Sequence, residues 1–119
     1  MQTARKIRIL LADDHTILRK GAYTIVTAVD GFDAVEKAGR ERPNLIVMDV
    51  VMPRMDGFQA LTRIRQDEAT RGIPVILVTT RGEPINVARG YELGCNEYLT
   101  KPISAGDLLA RVQTYVGAP

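Results

Sequence analysis

Leu45-Ile-Val-Met-Asp-Val-Val-Met-Pro-Arg-Met-Asp-Gly57 decides the fold. Its first four residues are apolar without a break, which suits a parallel strand covered on both faces. The run stops at an acid, Asp49. A short loop containing Pro53 follows, because Val50-Val51-Met52-Pro53 is no helix start. Asp56 is then a good N-cap, and Phe58, Leu61 and Ile64 follow at the spacing of one helix face. A strand over 45–48 and a helix over 57–68 are expected, with an acid at the junction.

The same alternation continues in both directions. Ile7-Arg-Ile-Leu-Leu-Ala12 reads as a strand ending in Asp13-Asp14, and Tyr23-Thr-Ile-Val-Thr-Ala28 as a second. Val75-Ile-Leu-Val78 is a fourth strand, ending in Thr79-Thr80, and Tyr98-Leu-Thr100 a short fifth, ending in Lys101-Pro102. Helices fit between them. Residues 31–41 carry Val35 and Ala38 on one face and stop before Pro43. Residues 84–93 begin at Pro84 and close near Gly94. Ser104-Ala-Gly-Asp107 reads as a capping box ahead of Leu108, Leu109, Val112 and Val116. Asp30-Gly31, Asp56-Gly57 and Gly72-Ile-Pro74 are turn signals. Strands alternating with helices predict right-handed βαβ units, a doubly wound parallel sheet with helices on both faces, and one domain over 1–119.

Composition agrees with that class and narrows it. The 119 residues are 45% apolar and 25% charged, enough for a core without disulfides. Sixteen basic against fourteen acidic residues leave +2, too small a surplus to argue for nucleic acid or an anionic membrane. No apolar run approaches the roughly 20 residues of a membrane span, and the basic start leads into a strand, unlike a signal peptide. The expected location is the cytoplasm. Cys95 is the sole cysteine, which excludes a disulfide framework and a four-ligand zinc site; it reads as a small packing residue. The sole histidine, His15, reads as a partly solvated loop residue, and any Ser-His-Asp triad would have to use it.

In open α/β sheets, ligands sit beyond the carboxyl ends of the strands. The residues at those ends are Asp13, Asp14, Asp49, Thr79 and Lys101. Carboxylates about 5 Å apart repel by about 3 kcal/mol per pair at an effective dielectric near 20. Lys101 supplies one offsetting charge, and a divalent cation would supply two more. Oxygen ligands select a hard ion, and carboxylates with waters are what magnesium takes. An acidic metal pocket with a carboxylate nucleophile, a lysine and a hydroxyl suits phosphoryl transfer onto an aspartate.

Asp13-Asp14, then Met48-Asp49-Val-Val-Met-Pro-Arg-Met-Asp-Gly57, then Val78-Thr79-Thr80, then Tyr98-Leu-Thr-Lys-Pro102 resemble the receiver domain of bacterial two-component response regulators. The resemblance covers nearly the whole chain and implies a flavodoxin-like sheet of order 2-1-3-4-5. It implies that Asp49 accepts a phosphoryl group from a sensor histidine kinase or phosphotransfer protein. Asp14 would bind Mg2+ directly, Asp13 often through water, with Asp49 and the Val51 carbonyl completing the protein ligands. Lys101, before a cis Pro102, would pair with the phosphoryl oxygens. Thr79 would move to bond them, and Tyr98 would be the rotamer switch. Arg81 and Val51 would flank the pocket and tune dephosphorylation. The output surface would be the helix at 84–93, the strand at 98–100 and the last helix, contacting a downstream protein. The domain would be a binding switch with self-catalysed phosphoryl transfer and hydrolysis, similar to stand-alone regulators of chemotaxis or pilus motility.

Other readings compete. The chain could be the receiver of a longer regulator or hybrid kinase. An aspartate-nucleophile phosphatase of the haloacid-dehalogenase kind needs a second Asp two residues after the first, where this chain has Val51. A flavodoxin-like cofactor protein would need a Gly-rich phosphate cradle that is missing. An unphosphorylated pseudo-receiver disagrees with the intact pocket residues. One departure from the family stands out. Only eight residues, 15–22, separate Asp14 from Tyr23, whereas a parallel crossover needs a dozen or more. Either the first helix is cut to a stub or a stretch of chain is missing there, and the expense of uncovering a sheet face favours the second.

Overall fold

A computed structural model describes residues 7–13 and 23–117. In chain order the elements are β1 (Arg8–Ala12), β2 (Thr24–Thr27), α1 (Gly31–Glu41), β3 (Leu45–Met48), α2 (Gly57–Gln66), β4 (Val75–Thr79), α3 (Pro84–Leu93), β5 (Glu97–Thr100) and α4 (Ala105–Val116). The five strands form one parallel sheet of order β2-β1-β3-β4-β5. This is the expected doubly wound topology. The questions of the stub helix and of His15 fall in residues 14–22, outside the described residues, as does Asp14.

The unbroken apolar runs have the structural reason inferred for them. All four residues of β3 and all five of β4 are buried, because helices lie on both faces of the sheet. On one face Leu10, Ile46, Met48 and Leu77 meet Ala34 and Ala38 of α1 and Phe58, Leu61 and Ile64 of α2. On the other, Ile9, Leu45, Val47, Ile76 and Val78 meet Leu108 and Val112 of α4. Each fully buried Leu, Ile or Val contributes about 1.5–3 kcal/mol, so these two layers dominate stability. Cys95 is buried in the first layer, and that burial pushes its thiol pKa up to about 11, so it is a packing residue. No described helix is long and apolar enough to cross a membrane.

Several boundaries differ from expectation. The second strand is shorter at both ends than 23–28, β4 extends to Thr79, and β5 begins at Glu97. Helix α2 stops at Gln66, two residues before the expected 68. Asp67 is extended there and accepts a hydrogen bond from the Ala69 N–H, while the buried Thr70 hydroxyl donates to the Ile64 carbonyl at 2.8 Å. The Thr70 side chain thus takes over the Ile64 carbonyl in the helix's last turn. At Ser104 the side chain accepts from the Asp107 N–H; the complete two-way capping box forms instead at Asp56 and Gln59.

Helix α1 docks backbone to backbone on the loop after β3: the Gly31 N–H donates to the Met55 carbonyl at 3.1 Å. A Cβ at Gly31 would stand 2.2 Å from that oxygen, whereas one at Gly39 would meet nothing within 4 Å. Gly31→Ala is therefore expected to destabilise by about 2 kcal/mol or more through forced displacement of backbone. Gly39→Ala, inside the same helix, is expected to stabilise by about 0.5–1 kcal/mol. Urea melts of the two variants check both signs.

Candidate functional site

Strand register builds the site. Ala12 pairs with Met48, so the next residues, Asp13 and Asp49, leave adjacent strands side by side. Thr79 pairs with Thr100, so Lys101 leaves β5 at the same edge. The Asp49 N–H donates to the Ala12 carbonyl and the Lys101 N–H to the Thr79 carbonyl, carrying the ladder one step past the strands. The Lys101–Pro102 peptide bond is cis.

Lys101 reaches back across β4 and bridges the two acids. Its Nζ lies 2.6 Å from Asp13 Oδ1 and 3.0 Å from Asp49 Oδ2. The Asp13 side chain is 1% exposed and that of Asp49 16%, so this is an ion cluster held largely out of water. Burial alone would lower the Lys101 pKa, but hydrogen bonds and charge from Asp13 and Asp49 outweigh it and raise the pKa. The other Asp49 oxygen, Oδ1, accepts from the Val51 N–H at 2.9 Å.

Beside the two acids opens a cleft of about 90 Å³, walled by Ala28 and Val29 on one side and by Val51, Met52 and Pro53 on the other. Among the described residues no three Asp, Glu, His or Cys side chains gather into a metal group. What they do provide is two hard carboxylates already sharing one cation, next to a cleft roomy enough for an ion with waters. That donor set fits a magnesium-like ion better than a soft metal.

Thr79 and Tyr98 form a second group, joined through one residue that sequence reading placed only at the pocket's flank. The fully buried Thr79 accepts from the Arg81 N–H at 3.2 Å, and the Tyr98 hydroxyl donates to the Arg81 carbonyl. Tyr98 itself is buried, and that burial raises its pKa. Its ring lies against α3 at Gly90, where a Cβ would stand 2.8 Å from the ring. A wider groove, about 300 Å³, lies between α2 and α3, lined by Val51, Arg81, Asn86 and Arg89 among others. The half-exposed Val51 thus borders both openings.

Sequence reading missed Asp30 and Arg54, taking the first as a turn residue. Asp30 accepts from the Asp33 N–H as the N-cap of α1 and pairs with Arg54 Nη2 at 2.6 Å. The cap was legible in Asp30-Gly31; the partner 24 positions away was not.

Comparison with known proteins agrees with this geometry. The family model of the response regulator receiver domain matches residues 8–113. Protein PilG of Pseudomonas aeruginosa is 33% identical over 97% of this chain and 91% of its own length. Protein PilH of the same organism is 36% identical over 88% and 93%. Two transcriptional regulators match at 36% identity, and the chain spans 47% of their length. The crystal structure of the receiver domain of sensor histidine kinase PA1611 from P. aeruginosa, with magnesium coordinated in its active site cleft, superposes with a TM-score of 0.84. It is 30% identical, covering 96% of this chain and all of that one. With its sheet order, its bridged acids and these relatives, the chain belongs to the receiver domain family of two-component response regulators.

Proposed function

We propose that this receiver is a phosphorylation-dependent switch that takes its phosphoryl group on Asp49 from a histidine kinase or phosphotransfer protein. The observation that carries the reading is the Lys101 bridge, which sets Asp13 and Asp49 together at the strand ends. In the transfer, an Asp49 oxygen forms a bond to phosphorus as the P–N bond of a phosphohistidine breaks. The electron pair leaves with the imidazole nitrogen, which takes up a proton. Asp13, Asp14, Asp49 and the Val51 carbonyl would hold Mg2+. The ion's chemistry there is to neutralise charge on the transferring oxygens. Lys101 can release Asp49 and pair with the phosphoryl group, since its ammonium already reaches that carboxylate.

Thr79 and Tyr98 then relay the change. A pull on Thr79 toward the phosphoryl oxygens disturbs its bond to Arg81, whose carbonyl holds the Tyr98 hydroxyl. The response emerges on α3, β5 and α4, where a downstream protein binds. The domain works in the cytoplasm as a binding switch that catalyses its own phosphorylation and hydrolysis, with no nucleic acid or membrane contact of its own. Near-complete coverage of PilG and PilH supports a regulator of the chemotaxis or pilus class. The half-length matches support a second reading, the receiver of a longer regulator or hybrid kinase.

Incubation with a small acyl phosphate and Mg2+ is expected to add one phosphoryl mass to the intact protein, and none to Asp49→Ala. An unchanged wild-type mass, or a phosphorylated Asp49→Ala, would overturn the assignment. Lys101→Ala is expected to accept the phosphoryl group still, but to lose the phosphorylation-dependent change in amide hydrogen exchange over α3 and β5. Without metal the same variant removes the ammonium that bridges Asp13 and Asp49. Its thermal midpoint is expected to fall, by up to about 3 kcal/mol of stability, and to recover more on adding Mg2+ than the wild type gains.

A further inference from the structure

The two walls of the acidic cleft are fastened to each other at a point that neither Asp13, Asp49 nor Lys101 touches. Arg54 sits in the left-handed backbone region, at φ 66. A residue with a side chain stays there only when its surroundings hold it. What holds it is a fork onto Asp30: Nε at 2.8 Å and Nη2 at 2.6 Å from the same carboxylate oxygen, Oδ2. The other oxygen, Oδ1, accepts from the Asp33 N–H at 2.8 Å and caps α1. That amide bond, and behind it Arg54, holds the Asp30 carboxyl below its ordinary pKa despite burial. The guanidinium also lies over the Phe32 ring, 5.6 Å from its centre. One residue on, Met55 accepts from the Gly31 N–H.

The acid is the fixed half of this pair. Its side chain is 5% exposed and tied to a helix, whereas that of Arg54 is 69% exposed. The loop that Arg54 belongs to is short and closed on itself. The Gly57 N–H donates to the Val50 carbonyl at 2.8 Å and the Met55 N–H to the Pro53 carbonyl at 2.7 Å. A loop tied in this way passes a displacement at Arg54 on to Val51, three residues back, whose N–H holds Asp49 Oδ1.

We propose that the Asp30–Arg54 fastening positions the Val51 loop for cation binding, so that a pair outside the cleft sets the affinity of the cleft for a divalent ion. The inference rests on the receiver reading of the site. Asp30 and Arg54 are positioning residues: they act through the loop and touch neither the ion nor the phosphoryl group.

Charge alone and positioning make opposite claims about one variant. If only charge matters, removing the Arg54 cation tightens Mg2+ binding and removing the Asp30 anion weakens it. If the fastening matters, both weaken it. Calorimetric titration of the full chain with MgCl2 at fixed ionic strength separates the two. Arg54→Ala and Asp30→Asn are each expected to bind Mg2+ about tenfold more weakly, the lower end of what outer-shell changes do to metal sites. The double variant is expected to be no weaker than either single one, because one fastening is lost in all three. Asn caps a helix as well as Asp, so α1 persists in Asp30→Asn. Arg54→Gly suits the positive φ, removes the fork without backbone strain, and is expected to match Arg54→Ala. Phosphorylation by an acyl phosphate should then need about tenfold more Mg2+ for half-maximal rate, with the rate at saturation unchanged. Mg2+ binding by Arg54→Ala and Arg54→Gly as tight as wild type, or tighter, overturns the fastening alone. A wild-type chain that binds no Mg2+ overturns the reading of the cleft, and this inference with it.

Discussion

One ammonium shared between two carboxylates is the interaction on which the rest of this structure is built. Asp13 and Asp49 leave neighbouring strands at the same height and are nearly shut off from water, so each would push the other away. Lys101 makes their closeness tolerable. It can do so only because β1, β3 and β5 are parallel and end at one edge, and because the cross-strand ladder continues one residue past Ala12 and Thr79. A register slip by one residue in any of these strands would turn an acid or the lysine to the opposite face. The two apolar layers therefore stabilise the fold and also hold three charges in one place.

Among the described residues, Lys101 bridges two carboxylates beside an open cleft. Around it lie two dependent structures. The Thr79–Arg81–Tyr98 chain links the end of β4 to β5 through a single backbone unit. The loop after β3 links Asp49 to α1 through Val51, Arg54 and Asp30.

How much of this can be read from the sequence depends on how local its cause is. The strands are legible because a sheet covered on both faces must be apolar at every position, as Leu45-Ile-Val-Met48 is. Asp13 and Asp49 are legible because each follows such a run directly, Thr79 because it ends one, and Lys101 because it follows the short β5. The stop of α2 at Gln66 is not, because it depends on the Thr70 hydroxyl folding back onto Ile64. Nor is Arg65, whose guanidinium spans from the Gly94 carbonyl to those of Arg71 and Ile73, with no pattern in the sequence to announce it. Arg54 hides twice: an arginine does not advertise a positive φ, and its partner lies on another element. The roles of Thr79 and Tyr98 come from resemblance to a family, and their common partner, the backbone of residue 81, has no side-chain identity to read.

Gly90 carries a consequence of a different kind. The Tyr98 ring rests on helix backbone with no side chain in between, closer than any other residue type would permit. An aromatic ring that leaves such a seat opens a hollow of its own volume beneath α3. Hollows of that size are expensive in a close-packed interior, so the helix must sink into the vacated space or the ring must return. Any rotation of the ring out of this seat would therefore be coupled to a displacement of the helix. A side chain can turn in nanoseconds, but a helix moves collectively over microseconds or longer, so the slower partner governs how fast the pair can change state.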